Sequence, residues 1–294
     1  MTDLFGFPVP VILGQLMLGL VNGCFYAMLS LGLAVIFGLL GVVNFAHGAF
    51  YMLGAYGTWA LLNFLGIGYW GALILSPLIV GCLGIVIERT MLKRLTQIDP
   101  LYGLLLTFGL SLIAEGFIRE GFGASGQTYP VPELLQGAVN VGFMILPIYR
   151  VWVIVASLTV CLITWFVIER TRLGSTLRAA TENPQLVQAF GINVPLMVSL
   201  TYAAGVALAA FAGVLSAPII QVSPLMGSSL VIVVFAVVVI GGMGSIMGAI
   251  LSGLMLGIVE GFTKVLYPEA SNIVVFVIMA IVLCWRSNGL FGKG

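Results

Sequence analysis

The stretch "VPVILGQLMLGLVNGCFYAMLSLGLAVIFGLLGVV", residues 9–43, holds no Asp, Glu, Lys, Arg or His. Working outward, no Asp, Glu, Lys or Arg occurs from residue 4 to residue 87, and the only histidine of the chain, His47, lies inside that gap. Of 294 residues, 61% are hydrophobic and 7% charged, whereas soluble domains carry roughly a quarter charged residues. Mean hydropathy is +1.20. Such a surface is unfavourable in water and favourable in a bilayer, which a helix of about 20 apolar residues crosses. The apolar runs are continuous and lack two-residue alternation, which predicts helices rather than a β-barrel. The expected fold is an all-α polytopic membrane protein.

Apolar runs fall at about 9–29, 31–43, 46–66, 70–88, 101–121, 150–168, 195–218, 228–241, 244–263 and 271–285. They predict roughly eight to ten transmembrane helices in a single transmembrane domain, residues 1–294. Runs 31–43 and 228–241 are too short to cross upright and are expected to be short or broken helices sheltered by protein. The N-terminal "MTDLFGFPVP" lacks the Lys or Arg of a cleaved signal peptide, so the first run is expected to be kept as a span, with the mature chain starting near Met1.

Formal net charge is +1 and the cations are clustered rather than spread on a basic face, which gives no reason to expect a nucleic-acid partner. One cluster is Arg89, Lys93 and Arg94, a second Arg170, Arg172 and Arg178, a third Arg286 with Lys293. Cytoplasmic loops are enriched in such residues. Two crossings fit between the first and second clusters and four between the second and third, so all three can face the cytoplasm. Segment 122–149 then faces outward. Cys24, Cys82, Cys161 and Cys284 sit in separate apolar runs without Cys-x-x-Cys spacing, so neither a disulfide nor a metal site is expected. Two weak echoes, "EGFIR" at 115–119 with "EGFTK" at 260–264 and "VIERT" at 86–90 and 167–171, are compatible with internal repeats or with chance.

Glu115 with Arg119 and Glu260 with Lys264 each place an acid four residues before a base, a spacing at which a helix lets the pair neutralise itself. The other reading is ion coupling, because intramembrane charges mark functional sites. Gly19 and Gly23, Gly244 and Gly248, and Gly253, Gly257 and Gly261 recur every four positions, the spacing of a flat strip for helix packing. "GGMGSIMG" from Gly241 lacks the flanking βαβ unit of a dinucleotide loop and reads as a break between two membrane helices. No Walker A pattern is present, so ATP used in transport would be bound by another chain.

Asn44 and His47 are polar residues in an apolar stretch, and on a helix they would share a face, with Gly41 and Gly48 beside them. They could satisfy backbone groups at a helix break or line a translocation path. Gln15 and Asn22, seven apart on the first span, could add polar lining. In "ERTRLGSTLRAATENPQLVQAFGINVP", Asn183 before Pro184 reads as an N-cap with proline at the first helical position, and Gly191 as the stop. The resulting helix, about 184–190, is expected to expose Leu186, Val187, Ala189 and Phe190, which need a partner protein or a fold-back onto the bilayer or the spans.

"NFAHGAFYMLGAY", "RAATENPQLVQAFGINV", "VVIGGMGSIMGA" and the terminal "NGLFG", in this order, resemble the LivH/LivM family of ABC-importer permeases for branched-chain amino acids, most of all the LivH-type subunit. The resemblance implies a bacterial inner-membrane, multi-pass permease that is not an enzyme and binds no cofactor. Its implied partners are a second, LivM-like permease, two cytoplasmic ATPases that use ATP, and a periplasmic amino-acid-binding protein. It further implies that the loop of about 170–194 docks into the ATPases through Arg178, Ala179, Ala180, Glu182, Asn183, Pro184, Phe190 and Gly191. Arg178-Ala179-Ala180 stands where the broader signature opens with Glu-Ala-Ala, and Ser287 where a proline is expected. The implied cargo is a branched-chain or related neutral amino acid. The alternatives are urea or short amides within the same family, or an ion-coupled secondary transporter using Glu115, Glu260 or His47.

Overall fold

The computed structural model describes residues 3–4, 7–41, 43–95, 99–142 and 144–292. Lys293 of the third cationic cluster and the Met1 start lie outside the described residues. A short antiparallel ladder, β1 (Asp3–Leu4) and β2 (Phe7–Pro8), precedes α1 (Val9–Leu40). Then follow α2 (Ala46–Leu65), α3 (Tyr69–Ile87) running through a π turn (Glu88–Leu92) into α4 (Lys93–Leu95), and α5 (Pro100–Phe122). A hairpin of β3 (Ala138–Asn140) and β4 (Ile145–Pro147) leads to α6 (Ile148–Arg170), α7 (Arg172–Glu182), α8 (Pro184–Ala189) and α9 (Val194–Ser216). The chain closes with α10 (Met226–Gly241), α11 (Ile246–Leu266) and α12 (Val274–Trp285).

Among the described residues, six helices are long and apolar enough to cross a membrane, and α10 and α12 are shorter apolar helices. The runs 9–29 and 31–43 are not two spans but one helix of 32 residues. No proline interrupts them, and Ser30 at their junction donates its hydroxyl to the carbonyls of Ala27 and Ala249 without breaking the helix. The helix stops at Gly41, whose φ is +64°. α2 ends in the same left-handed way at Gly66, whose N–H reaches Leu62 O while Ile67 N–H reaches Leu61 O. α5 starts where Asp99 accepts the Leu101 N–H ahead of Pro100.

Contacts divide the chain into two compact units, with three of the four boundaries falling inside α1, α6 and α10 and the fourth in the loop after α5. The first comprises residues 1–30, 131–161 and 233–294. Its seam joins α1 to α11, where Gly19 and Gly23 face Gly253, Gly257 and Gly261. A Cβ on Gly257 would lie 2.3 Å from Gly23 Cα, so two backbones touch and no larger residue fits. In this unit the terminal "NGLFG" folds onto the α10–α11 link: Leu290 N–H donates to Ile240 O and Phe291 N–H to Gly241 O.

The second unit comprises residues 31–130 and 162–232. α9 is its axis, packed on α2 and α3. A Cβ on Gly54 would meet Ala210 O at 2.2 Å, and one on Gly213 would meet Tyr51 O at 2.1 Å. On the loop after α5, Tyr129 is buried, which together with neighbouring Tyr69 pushes its phenol up to about 12.

Candidate coupling segment and path residues

Asn44 is not helical. It ends the link between α1 and α2, and its carbonyl accepts the His47 N–H, so the expectation that Asn44 and His47 share a helix face is corrected. The reason is Gly41, which turns the chain out of α1 before a new helix nucleates at Ala46. Asn44 Nδ2 donates to Tyr202 Oη at 3.1 Å, tying this link to α9. Its Oδ1 is buried without a hydrogen-bond partner among the described residues. His47, in the first turn of α2, is 1% exposed and lies against Gly32 of α1, where a Cβ would sit 3.0 Å from its ring. Gly48 lets α2 approach Gly227 backbone to backbone. Gln15 and Asn22 lie half-buried on α1 in the other unit.

Two buried carboxylates carry geometry that spacing alone did not give. Glu260 accepts Lys264 Nζ at 2.5 Å, as the four-residue spacing predicts, and also Tyr26 Oη at 2.6 Å. Glu88, in the π turn, accepts Ser199 Oγ at 2.5 Å, and Arg89 Nε donates to the same hydroxyl at 3.2 Å. A charge buried away from water is costly unless paired and hydrogen-bonded: Glu260 has both a cation and a hydroxyl, whereas Glu88 is hydrogen-bonded to Ser199, through whose hydroxyl Arg89 is linked to it. Glu115 and Arg119, by contrast, form no ion pair among the described residues; Glu115 receives Ser111 Oγ at 3.5 Å instead. Glu88, Ser199, Tyr26 and Tyr202 escaped the sequence reading. The available signal was that Glu88 is the first charge after the long neutral stretch.

The segment after α6 is built from local rules. Gly174 is forced at the corner, since a Cβ there would fall 1.7 Å from Ile168 O. Arg178 Nη1 reaches that same carbonyl at 2.9 Å and Glu169 at 3.5 Å, bracing α7 against the end of α6. Asn183 caps α8 by accepting the Leu186 N–H at 3.0 Å, with Pro184 following, and Gly191 ends it at φ +81°. Asn193 repeats the device for α9, accepting the Leu196 N–H. Leu186 and Phe190 are exposed by 56% and 77%. Ala179, Glu182 and Ala189 are exposed as well. Val187 corrects the expectation of a fully exposed face: it is 6% exposed, packed with Ala180 and Val194 and flanked by Met197 and Val198. A six-residue helix is too short to stand alone, so one residue must anchor it.

Gly244 is likewise corrected. It has φ +85° in the link before α11 and is not part of a helical strip with Gly248. The strip that does form pairs Gly248 with Gly241, where a Cβ on Gly248 would lie 2.2 Å from the Gly241 carbonyl oxygen. Gly242, also at positive φ, marks the break between α10 and α11.

Long apolar helices, backbone-close glycine seams and buried carboxylates satisfied by internal hydrogen bonds define a multi-pass helical membrane protein. A family model for the "Branched-chain amino acid transport system / permease component" matches residues 15–283. The chain belongs to this family, and is a transport permease component rather than an enzyme. It is 30% identical to the high-affinity branched-chain amino acid transport system permease protein BraD of Pseudomonas aeruginosa, over 96% of each chain. It is 31% identical to the LivH permease protein of Escherichia coli K12, again over 96% of each. The LivM permease protein of the same organism is 28% identical over 90% of this chain and 67% of that one.

Proposed function

We propose that this chain is the LivH-like permease subunit of an ABC importer in a bacterial inner membrane, translocating branched-chain or related neutral amino acids. One permease domain, residues 1–294, would pair with a LivM-like permease, receive its cargo from a periplasmic binding protein and be driven by two cytoplasmic ATPases that hold the nucleotide. The observation that carries the reading is α8, a helix capped at both ends, anchored by Val187 and presenting Leu186 and Phe190 outward. An apolar pair on a braced polar segment is suited to a protein partner, and the sequence has no nucleotide motif of its own. Permease names among the relatives support both the substrate class and the existence of two permease types.

In this reading α8 is the handle, Arg178 and Gly174 keep it rigid, and α9 carries its displacement inward to Tyr202 and so to Asn44. ATP binding in the partners would then shift a population of conformers rather than perform chemistry on this chain. Asn44 and His47 would hold the α1–α2 link, with Gln15 and Asn22 as candidates for path lining. The glycine strips would set the helix packing on which that motion depends.

The test is reconstitution of the chain in proteoliposomes with its second permease, ATPases and binding protein. ATP-driven leucine uptake is expected, and Phe190→Asp is expected to abolish it while leaving insertion and the other subunits' solubility unchanged. Uptake by the chain alone that follows a proton gradient would overturn the proposal in favour of ion coupling.

A further inference from the structure

Within the second unit, α2, α3 and α5 enclose a cleft of about 240 Å³. Ala49 and Leu53 of α2, Leu83 and Ile87 of α3, and Ala114 and Phe117 of α5 contribute to its wall, and every lining side chain is aliphatic or aromatic. Phe117, one of the lining residues, is 79% exposed, and α3 and α5 are both apolar enough to cross a membrane, so the cleft lies between helices of the membrane-spanning part. A zwitterionic amino acid has nothing here to replace its hydration, which argues against cargo. A helix about 10 Å across with its side chains is too large for this volume. A single acyl chain is thin enough.

The chain supplies charge at one end of the cleft. Beyond Ile87, α3 continues through the π turn to Lys93 and Arg94, about 9–10 Å further at the α-helical rise per residue. Both are exposed and make no ion pair among the described residues. The acids close to them in sequence are engaged elsewhere: Glu88 accepts Ser199 Oγ, and Asp99 caps α5. Half a bilayer core is about 15 Å deep, so a headgroup held at Lys93 and Arg94 sets its tail alongside the cleft. Basic groups beside a gap between membrane helices are the arrangement that retains anionic lipids.

We infer that this cleft binds one acyl chain of an anionic phospholipid whose phosphate is held by Lys93 and Arg94. The inference rests on the membrane fold and not on the proposed transport function.

The full chain, purified in detergent with equal amounts of dioleoyl phosphatidylglycerol and dioleoyl phosphatidylcholine, is examined by native mass spectrometry. One phosphatidylglycerol per chain is expected, preferred roughly tenfold, and Lys93→Gln with Arg94→Gln is expected to bring the two lipids near parity. These exposed positions do not threaten folding. Ala114→Trp, which fills the cleft, is expected to lower retention of both lipids. A benzophenone amino acid at Ile113, which also lines the cleft from α5, is expected to yield a phospholipid adduct. Equal retention of the two lipids by the parent chain, a preference that survives the double substitution, or a polypeptide adduct at Ile113 overturns the inference.

Discussion

α8 and α9 are separated by residues 190–193 and are built in opposite ways. α9 spends alanine and glycine on contact: Gly205, Ala209, Ala210 and Gly213 are small enough for α2 and α1 to approach its backbone, and Tyr202 reaches Asn44 from the same helix. α8 keeps one side chain inside, Val187, and turns its two largest apolar groups outward. In lipid, where burying apolar surface gives no drive to associate, close backbone packing is what holds helices together. In water, a bare Phe190 contributes nothing to holding the unit together. The comparison separates residues that stabilise this permease from residues that are free to meet something else.

Substitutions can break that contrast or sharpen it. Gly213→Leu is expected to have the largest effect, costing about 3 kcal/mol or more, because the new side chain meets Tyr51 backbone that cannot give way. Its readout is loss of monodisperse protein in detergent. Gly174→Ala should follow at about 1–3 kcal/mol, seen as a lower melting temperature, since Ile168 O occupies the space of the added methyl. Tyr202→Phe leaves Asn44 Nδ2 buried without its acceptor, so a loss of about 1–2 kcal/mol is expected in the same assay. Asn183→Ala removes the α8 cap and should cost about 1 kcal/mol, with faster amide exchange confined to Leu186 and its neighbours. Phe190→Asp should change stability least, within about 0.5 kcal/mol, while under the proposed function it is expected to abolish ATP-driven uptake. A melting temperature that falls as far for Phe190→Asp as for Gly213→Leu would erase the distinction between the two helices.

The membrane class and most spans were legible because they depend on local composition. α8 was legible for the same reason: Asn183, Pro184 and Gly191 act on backbone groups within a few residues. Failures came where distant segments decide. Nothing local announces that Val187 faces Ala180 and Val194, or that Glu88 meets Ser199. The Glu115–Arg119 spacing permits a pair, but Glu115 takes the nearby Ser111 hydroxyl. The run 31–43 reads as a short or broken helix separate from 9–29, whereas α1 continues through Ser30 and Gly32, and Gly32 admits the Gly205 backbone.

The backbone bonds from Leu290 and Phe291 to Ile240 and Gly241 set an order of events during biosynthesis. The carbonyls of Ile240 and Gly241 are made while the Leu290 and Phe291 N–H groups that donate to them are still untranslated, so these two bonds cannot form until the ribosome has passed α12. Until then a quality-control protease scanning the nascent chain would meet the elbow between α10 and α11 without its C-terminal cover.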